Sequence, residues 1–254
     1  MRMRVLDITQ PWTHTMPTWP TFAGIECTPI TTHARDGKSS LSIKLNMHTG
    51  THIDAPSHYC ETGRDLGKVG LDELVGTGLV IDVSKYCSNY SLFSLEQVLE
   101  ATPEPIRERD IVIFHTGWWR YGWCYEDADE VTFFDRHPGP TPDLVDYLVK
   151  KKIKWMGVDT PAIDHPMWLK IRNIRPDLVR ECEEVYGKPI EEAFPIKYME
   201  YCHYTFARND ILAVEIFGKE LQEIVNRRVT LGAFPWRWVG GEGCVCRCAA
   251  FLED

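Results

Sequence analysis

NMHTGTHIDAPSHY, residues 46–59, places His48, His52, His58 and Asp54 at even positions, with Gly50 and Pro56 in the same register. Read as a helix, the run puts Asp54 about 200° round from His52 and breaks at Pro56. Read as extended chain, period two turns all six residues to one face. A straight strand cannot gather them, because at ~3.3 Å per residue His48 and Asp54 would lie about 20 Å apart. The chain must therefore bend, and Gly50, free to take conformations closed to other residues, is where the bend is expected. Lacking a side chain, Gly50 would also leave space above the backbone for an ion or a substrate. The stretch is expected to be bent β-structure rather than helix.

Other extended segments flank it. Arg4–Ile8, Ser40–Asn46, Gly78–Val83, Asp110–Phe114, Lys154–Asp159, Ile211–Phe217 and Val245–Phe251 are rich in β-branched or aromatic residues, as strands are. Helices are signalled between them. Ser94-Leu95-Glu96-Gln97 is a capping box, and Thr141-Pro142-Asp143 supplies an N-cap, a proline at the first helical position and an early acid. A third helix is expected over Pro176–Tyr186, ending at Gly187, within a segment 165–202 that reads as a helical excursion from the sheet, serving as a lid or an oligomer contact. Alternating strands and helices predict an α/β fold, one domain over residues 1–254 with a mixed β-sheet and flanking helices. A chain of this length buries about three-quarters of its unfolded surface, enough for a core without staples.

Composition narrows the partners. With 28 basic and 37 acidic residues the net charge is −9, which repels nucleic acid and anionic membranes. No apolar run approaches the ~20 residues needed to cross a bilayer, and MRMRVLDITQ carries no secretory signal, so a cytoplasmic location is expected. The nine cysteines include no C-x-x-C pair and are read as reduced thiols. Cys244, Cys246 and Cys248 alternate along one strand and are read as small buried hydrophobes about 7 Å apart.

Imidazoles beside a carboxylate suit Zn²⁺ or Mn²⁺, one or two ions, and the lack of a thiol ligand argues against a structural zinc site. Further ligands must come from elsewhere in the chain. In ILAVEIF, residues 211–217, Glu215 interrupts an apolar strand, a placement that costs several kcal/mol unless a cation compensates it. His203 lies twelve residues earlier.

The run HTGTHIDAPSH resembles the H-x-G-T-H-x-D-x-P-x-H signature of the cyclase-like metal-dependent hydrolases, which include bacterial kynurenine formamidases, isatin hydrolases and some lactone-opening enzymes. Residues 7–11 (DITQP) and 16–20 (MPTWP) resemble the family's opening; DIVIFHTGW at 110–118, His137-Pro138-Gly139 and GVDTPAID at 157–164 resemble its middle. The resemblance implies a swivelling β/β/α fold. It implies metal ligands His48, His52, Asp54, His203 and Glu215, with the two carboxylates able to bridge two ions. It makes His58 the acid–base residue, a role its ordinary pKa near 6.5 suits, and it implies a homodimer or higher homo-oligomer. Between Asp164 and His203 the chain is longer than the family pattern and carries Trp168, Arg172, Arg175, Tyr186, Tyr198 and Tyr201.

The implied activity is hydrolysis of an amide, lactam or lactone bond in a small cyclic or aromatic substrate. N-formylkynurenine and isatin are the specific candidates, and a non-catalytic metal or small-molecule binder is the rival from another class. Trp19, between two prolines of the opening segment, is the candidate substrate contact. Trp118, Trp119 and Trp123 are read as packing, His115 and His137 as structural, and Gly240–Gly243 as a flexible turn. No G-x-S-x-G elbow or Walker sequence supports serine-hydrolase or NTP chemistry.

Overall fold

The computed structural model describes residues 3–253. Its strands are β1 (Met3–Asp7), β2 (Glu26–Thr31), β3 (Ser40–Lys44), β4 (His52–Asp54), β5 (Val75–Asp82), β6 (Leu92–Phe93), β7 (Ile111–His115), β8 (Gly139–Pro140), β9 (Trp155–Val158), β10 (Leu212–Glu215), β11 (Arg227–Phe234), β12 (Gly243–Val245) and β13 (Arg247–Glu253). Nine of them form one sheet in the order β1-β13-β11-β5-β7-β9-β10-β4-β12. The neighbours β5, β7, β9 and β10 run parallel, and every other pairing within this sheet is antiparallel. The fold is thus α/β with a mixed sheet and flanking helices, as expected.

Period two along the parallel strands builds two cores. Val80, Ile111, Ile113, Trp155, Leu212 and Val214 point into one, where the curled sheet closes on Ile8, Ile53 and Cys244. Leu79, Ile81, Val112, Phe114, Met156 and Ala213 point into the other. The helices Leu95–Ala101, Pro142–Lys150 and Tyr201–Arg208 cover that second face through Val98, Leu144, Leu148, Cys202 and Phe206. Strands buried on both faces explain the near-continuous apolar runs at 78–83 and 111–114.

Local signals place the helices well. Ser94 accepts from Gln97 N while the Gln97 side chain accepts from Ser94 N, a closed capping box. The Pro176–Tyr186 helix ends as expected, with Gly187 left-handed at φ 64°. It belongs to a segment with a small core of its own, formed by Tyr90, Met167, Trp168, Leu178, Ile190 and Phe194 and packed against Trp19.

Several expectations fail for identifiable reasons. Ser40–Lys44 is a strand, but it pairs with β2 in a separate two-stranded ribbon rather than in the main sheet. Cys246 interrupts the strand expected over Val245–Phe251, and the kink brings Cys246 Sγ within 3.6 Å of Cys248 Sγ, closer than an unbroken strand would. The stretch 46–59 is extended only at β4, because Pro56–His58 closes into a single turn of 3₁₀ helix.

Candidate metal centre and active site

Strand pairing brings the distant residues together. β10 and β4 are antiparallel with Glu215 opposite His52 and Ala213 opposite Asp54. His52, Asp54 and Glu215 therefore project from one face of adjacent strands. Gly50, at φ 71°, turns the preceding chain back so that His48 returns over that face. The space beside Gly50 is not left for an ion, however, because a methyl group there would lie 3.0 Å from Met16 Cε and 3.2 Å from Trp12 Cδ1. The 3₁₀ turn, rather than further extension, brings His58 in, stacked on His48 with ring centroids 4.0 Å apart. His203 arrives on the Tyr201–Arg208 helix.

That helix is held by a residue whose role the sequence does not reveal. Asp164 accepts hydrogen bonds from Cys202 N (2.9 Å) and His203 N (3.1 Å), placing a carboxylate at the helix N-terminus where the dipole favours it. Its Oδ2 also lies 2.6 Å from His203 Nδ1. Thr51 joins three segments in a similar way. Its hydroxyl donates to the Ile216 carbonyl and accepts from Gln10 N at 2.9 Å. Ile216 needs such a restraint, since a β-branched residue at φ 65° is strained, and it directly follows Glu215.

Each of three imidazoles has one nitrogen tied to an oxygen acceptor and the other turned inward. His52 Nδ1 is 2.8 Å from Gly50 O, His203 Nδ1 is held by Asp164, and His48 Nε2 is 3.1 Å from Glu242 Oε2. The inward nitrogens converge on the carboxylates. His48 Nδ1 is 2.7 Å from Asp54 Oδ1, His52 Nε2 is 3.2 Å from Glu215 Oε2, and His203 Nε2 is 3.4 Å from Glu215 Oε1 and 3.6 Å from Asp54 Oδ2. Despite these contacts both Asp54 oxygens are buried with no geometrically acceptable hydrogen-bond donor. A buried carboxylate that lacks donors but is ringed by inward nitrogens is what a cation site provides.

The donor atoms form two groups that share Asp54, namely His48–Asp54–His58 and His52–Asp54–Glu215, each within 4.8 Å. These residues fit one or two divalent ions bound through nitrogen and oxygen. His58 differs from the other three histidines, because neither of its ring nitrogens has a hydrogen-bond partner among the described residues.

Burial acts against the charged form of every group here, and the neighbours decide the outcome. For His48, the Asp54 carboxylate and Glu242 overcome burial and raise the pKa to about 10. Asp164 and Glu215 do the same for His203. For His58, burial, helped by His48 and His203, overcomes the pull of Asp54 and lowers the pKa to about 4. Burial would raise Asp54 and Glu215, but the surrounding histidines hold both below the usual carboxylate range.

A cavity of about 190 Å³ opens over this cluster. Trp19, Phe22 and Phe134 supply aromatic surface, with Trp19 and Phe134 edge to face at 6.1 Å. The segment 165–202 contributes Leu169, Lys170 and Glu200 to the wall. Trp118 is instead buried among Phe133, Phe134 and Ile216, and Trp119 donates to His115, whose other nitrogen is held by Asp82. His137 is fully buried, its Nδ1 against Pro138 O.

A model of the family described as putative cyclase matches residues 6–165, more than half of the chain. A relative named kynurenine formamidase, from Erythrobacter litoralis (strain HTCC2594), is 28% identical over 249 residues, covering 96% of this chain and 92% of its own. Among solved structures, isatin hydrolase A from Ralstonia solanacearum superposes with a TM-score of 0.78 at 21% identity, over 99% of this chain and 92% of that one. An isatin hydrolase bound to the product analogue thioisatinate superposes with a TM-score of 0.79 at 22% identity, over 99% and 93%.

Proposed function

This chain belongs to the cyclase family, and from that premise we propose that it is a metal-dependent hydrolase of an amide, lactam or lactone bond in a small cyclic or aromatic substrate. The observation that carries the reading is the division among the histidines. Three are fixed by acceptors and aim a free nitrogen at Asp54 and Glu215, whereas His58 stands at the same centre with no such acceptor. His48, His52, Asp54, His203 and Glu215 would hold Zn²⁺ or Mn²⁺, one or two ions, through their nitrogen and oxygen donors. A bound divalent cation supplies Lewis acidity and lowers the pKa of water from 15.7 to about 7.

The chain's own groups do the rest. His58, neutral at pH 7, takes the proton of the attacking water and returns it to the departing nitrogen or oxygen. Trp19, Phe22 and Phe134 bind a flat substrate and keep water from its faces. Kynurenine formamidase and isatin hydrolase, the names of the relatives, make an aromatic formamide and a fused lactam the first substrates to try. Metal analysis of purified protein, followed by hydrolysis of N-formylkynurenine, isatin and simple lactones, is the direct test. Activity lost to a chelator and restored by Zn²⁺ or Mn²⁺ is expected, and hydrolysis that a chelator leaves untouched defeats the reading.

The active form is a homodimer or higher homo-oligomer. In the ribbon, Cys27 opposes Ile43 and Pro29 opposes Leu41 on one face, with Leu41 56% and Ile43 45% exposed. A two-stranded ribbon with an uncovered apolar face is marginal in water. In the chain it lies between Phe22 and His48, both of which line the pocket. Light scattering on purified protein is expected to give at least twice the 29.3 kDa chain mass, and Leu41→Glu with Ile43→Lys to return it to monomer. Among the described residues no helix is long and apolar enough to cross a membrane, and nine unpaired thiols suit a reducing, cytoplasmic setting.

A further inference from the structure

The glycine-rich turn before β12 reads from sequence as mere flexible connection, yet it reaches the centre. Ala55 N donates to Glu242 O at 2.9 Å, Leu66 N donates to Gly241 O at 2.9 Å, and β12 pairs with β4 so that Gly243 faces Asp54. The turn is therefore pinned to the strand that carries His52 and Asp54. At Gly243 a methyl group would overlap Cε1 and Nε2 of His48, so the absence of a side chain there gives the imidazole its seat. From the adjoining position, Glu242 Oε2 reaches His48 Nε2 at 3.1 Å.

We propose that Glu242 is a positioning residue of the centre, accepting the Nε2–H of His48 and so fixing Nδ1 as the nitrogen presented to Asp54. This rests on the reading of the site as a metal centre. His52 and His203 rely on buried acceptors, the Gly50 carbonyl and Asp164, which water cannot replace. His48 alone relies on a half-exposed side chain, 47% accessible, at the rim of the fold. Its orientation is therefore the one that a single surface substitution can release without disturbing the core. Gly243 is the floor under the ring and Glu242 the tether at its outer edge. Acceptors on the far nitrogen of a ligating histidine commonly set metal affinity by 10–100-fold.

The test compares Glu242→Ala, Glu242→Gln and wild type in two measurements. The first is the dissociation constant for Mn²⁺ and Zn²⁺, from competition with a chelator. The second is solvent exchange of the His48 Nε2 proton, from ¹⁵N-edited NMR. Glu242→Ala is expected to bind metal about 10–100-fold more weakly and to exchange that proton faster. Glu242→Gln keeps a carbonyl acceptor at the same reach and should stay within several-fold of wild type. Wild-type affinity and unchanged exchange in Glu242→Ala overturn the proposal. A loss as deep in Glu242→Gln also overturns it, by assigning the effect to charge alone. If wild type itself binds neither metal, the metal-centre reading falls, while the exchange rate still reports whether Glu242 holds His48.

Discussion

Replacing His58 with alanine or glutamine is expected to lower kcat by about 10²–10⁴-fold, the usual contribution of a positioned acid–base group, with bound metal unchanged. The expectation follows from what surrounds the ring. His48, His52 and His203 are each fixed by an acceptor on the outer nitrogen, as ligands commonly are, and His58 is not. Burial lowers its pKa to about 4, so at neutral pH it rests as a base able to take a proton. Glutamine fills similar volume against His48 but cannot shuttle protons, which separates lost chemistry from lost packing. The measurements are steady-state kinetics and metal content on the same samples. Loss of a metal equivalent from both variants would make His58 a ligand of the His48–Asp54 group instead, and proton transfer would need another residue.

How much of this was legible depended on whether the signal was local. Parity at positions 48–58, the acid inside ILAVEIF and the Ser94 box are short-range patterns, and each leads to the element or cluster where its residues lie. Asp164 could not be read this way. In GVDTPAID it looks like any loop acid, and its partner His203 is 39 residues away. Glu242, 194 residues from His48, was hidden for the same reason. Strand β4 is only three residues long, and its strand character comes from pairing on both sides rather than from its own propensity. The even positions suggested one extended face, but tertiary closure used extension for His52 and Asp54, a left-handed glycine for His48 and a 3₁₀ turn for His58. Convergence was implied by the residues, and the means of bending was not. That 165–202 could serve as a lid was legible in the sequence, but which of its residues reach the cavity was not, because nothing local distinguishes Lys170 or Glu200 from other surface charges.

Asp54→Asn should have the broadest effect of any single substitution, since Asp54 is the member common to both donor groups. The change preserves shape and volume while removing the charge that His48, His52 and His58 all face. It also turns one carboxylate oxygen into an N–H donor beside inward imidazole nitrogens. A cation could then keep at most a neutral oxygen at the point where the two groups meet. Bound metal and activity are both expected to be lost.

A thermal measurement isolates the cause. A ligand present at 100–1,000 times its Kd stabilises the fold by about 2.7–4.1 kcal/mol, worth roughly 5–15 °C in Tm for a chain of this size. Wild-type protein should lose that increment on chelation, whereas Asp54→Asn should melt at one temperature with or without chelator. Because the variant's baseline stability cancels in that comparison, a general loss of folding cannot imitate the result. A chelator-sensitive Tm retained in Asp54→Asn would show the cation held without its shared carboxylate, and Glu215 with the three imidazoles would have to form the whole site.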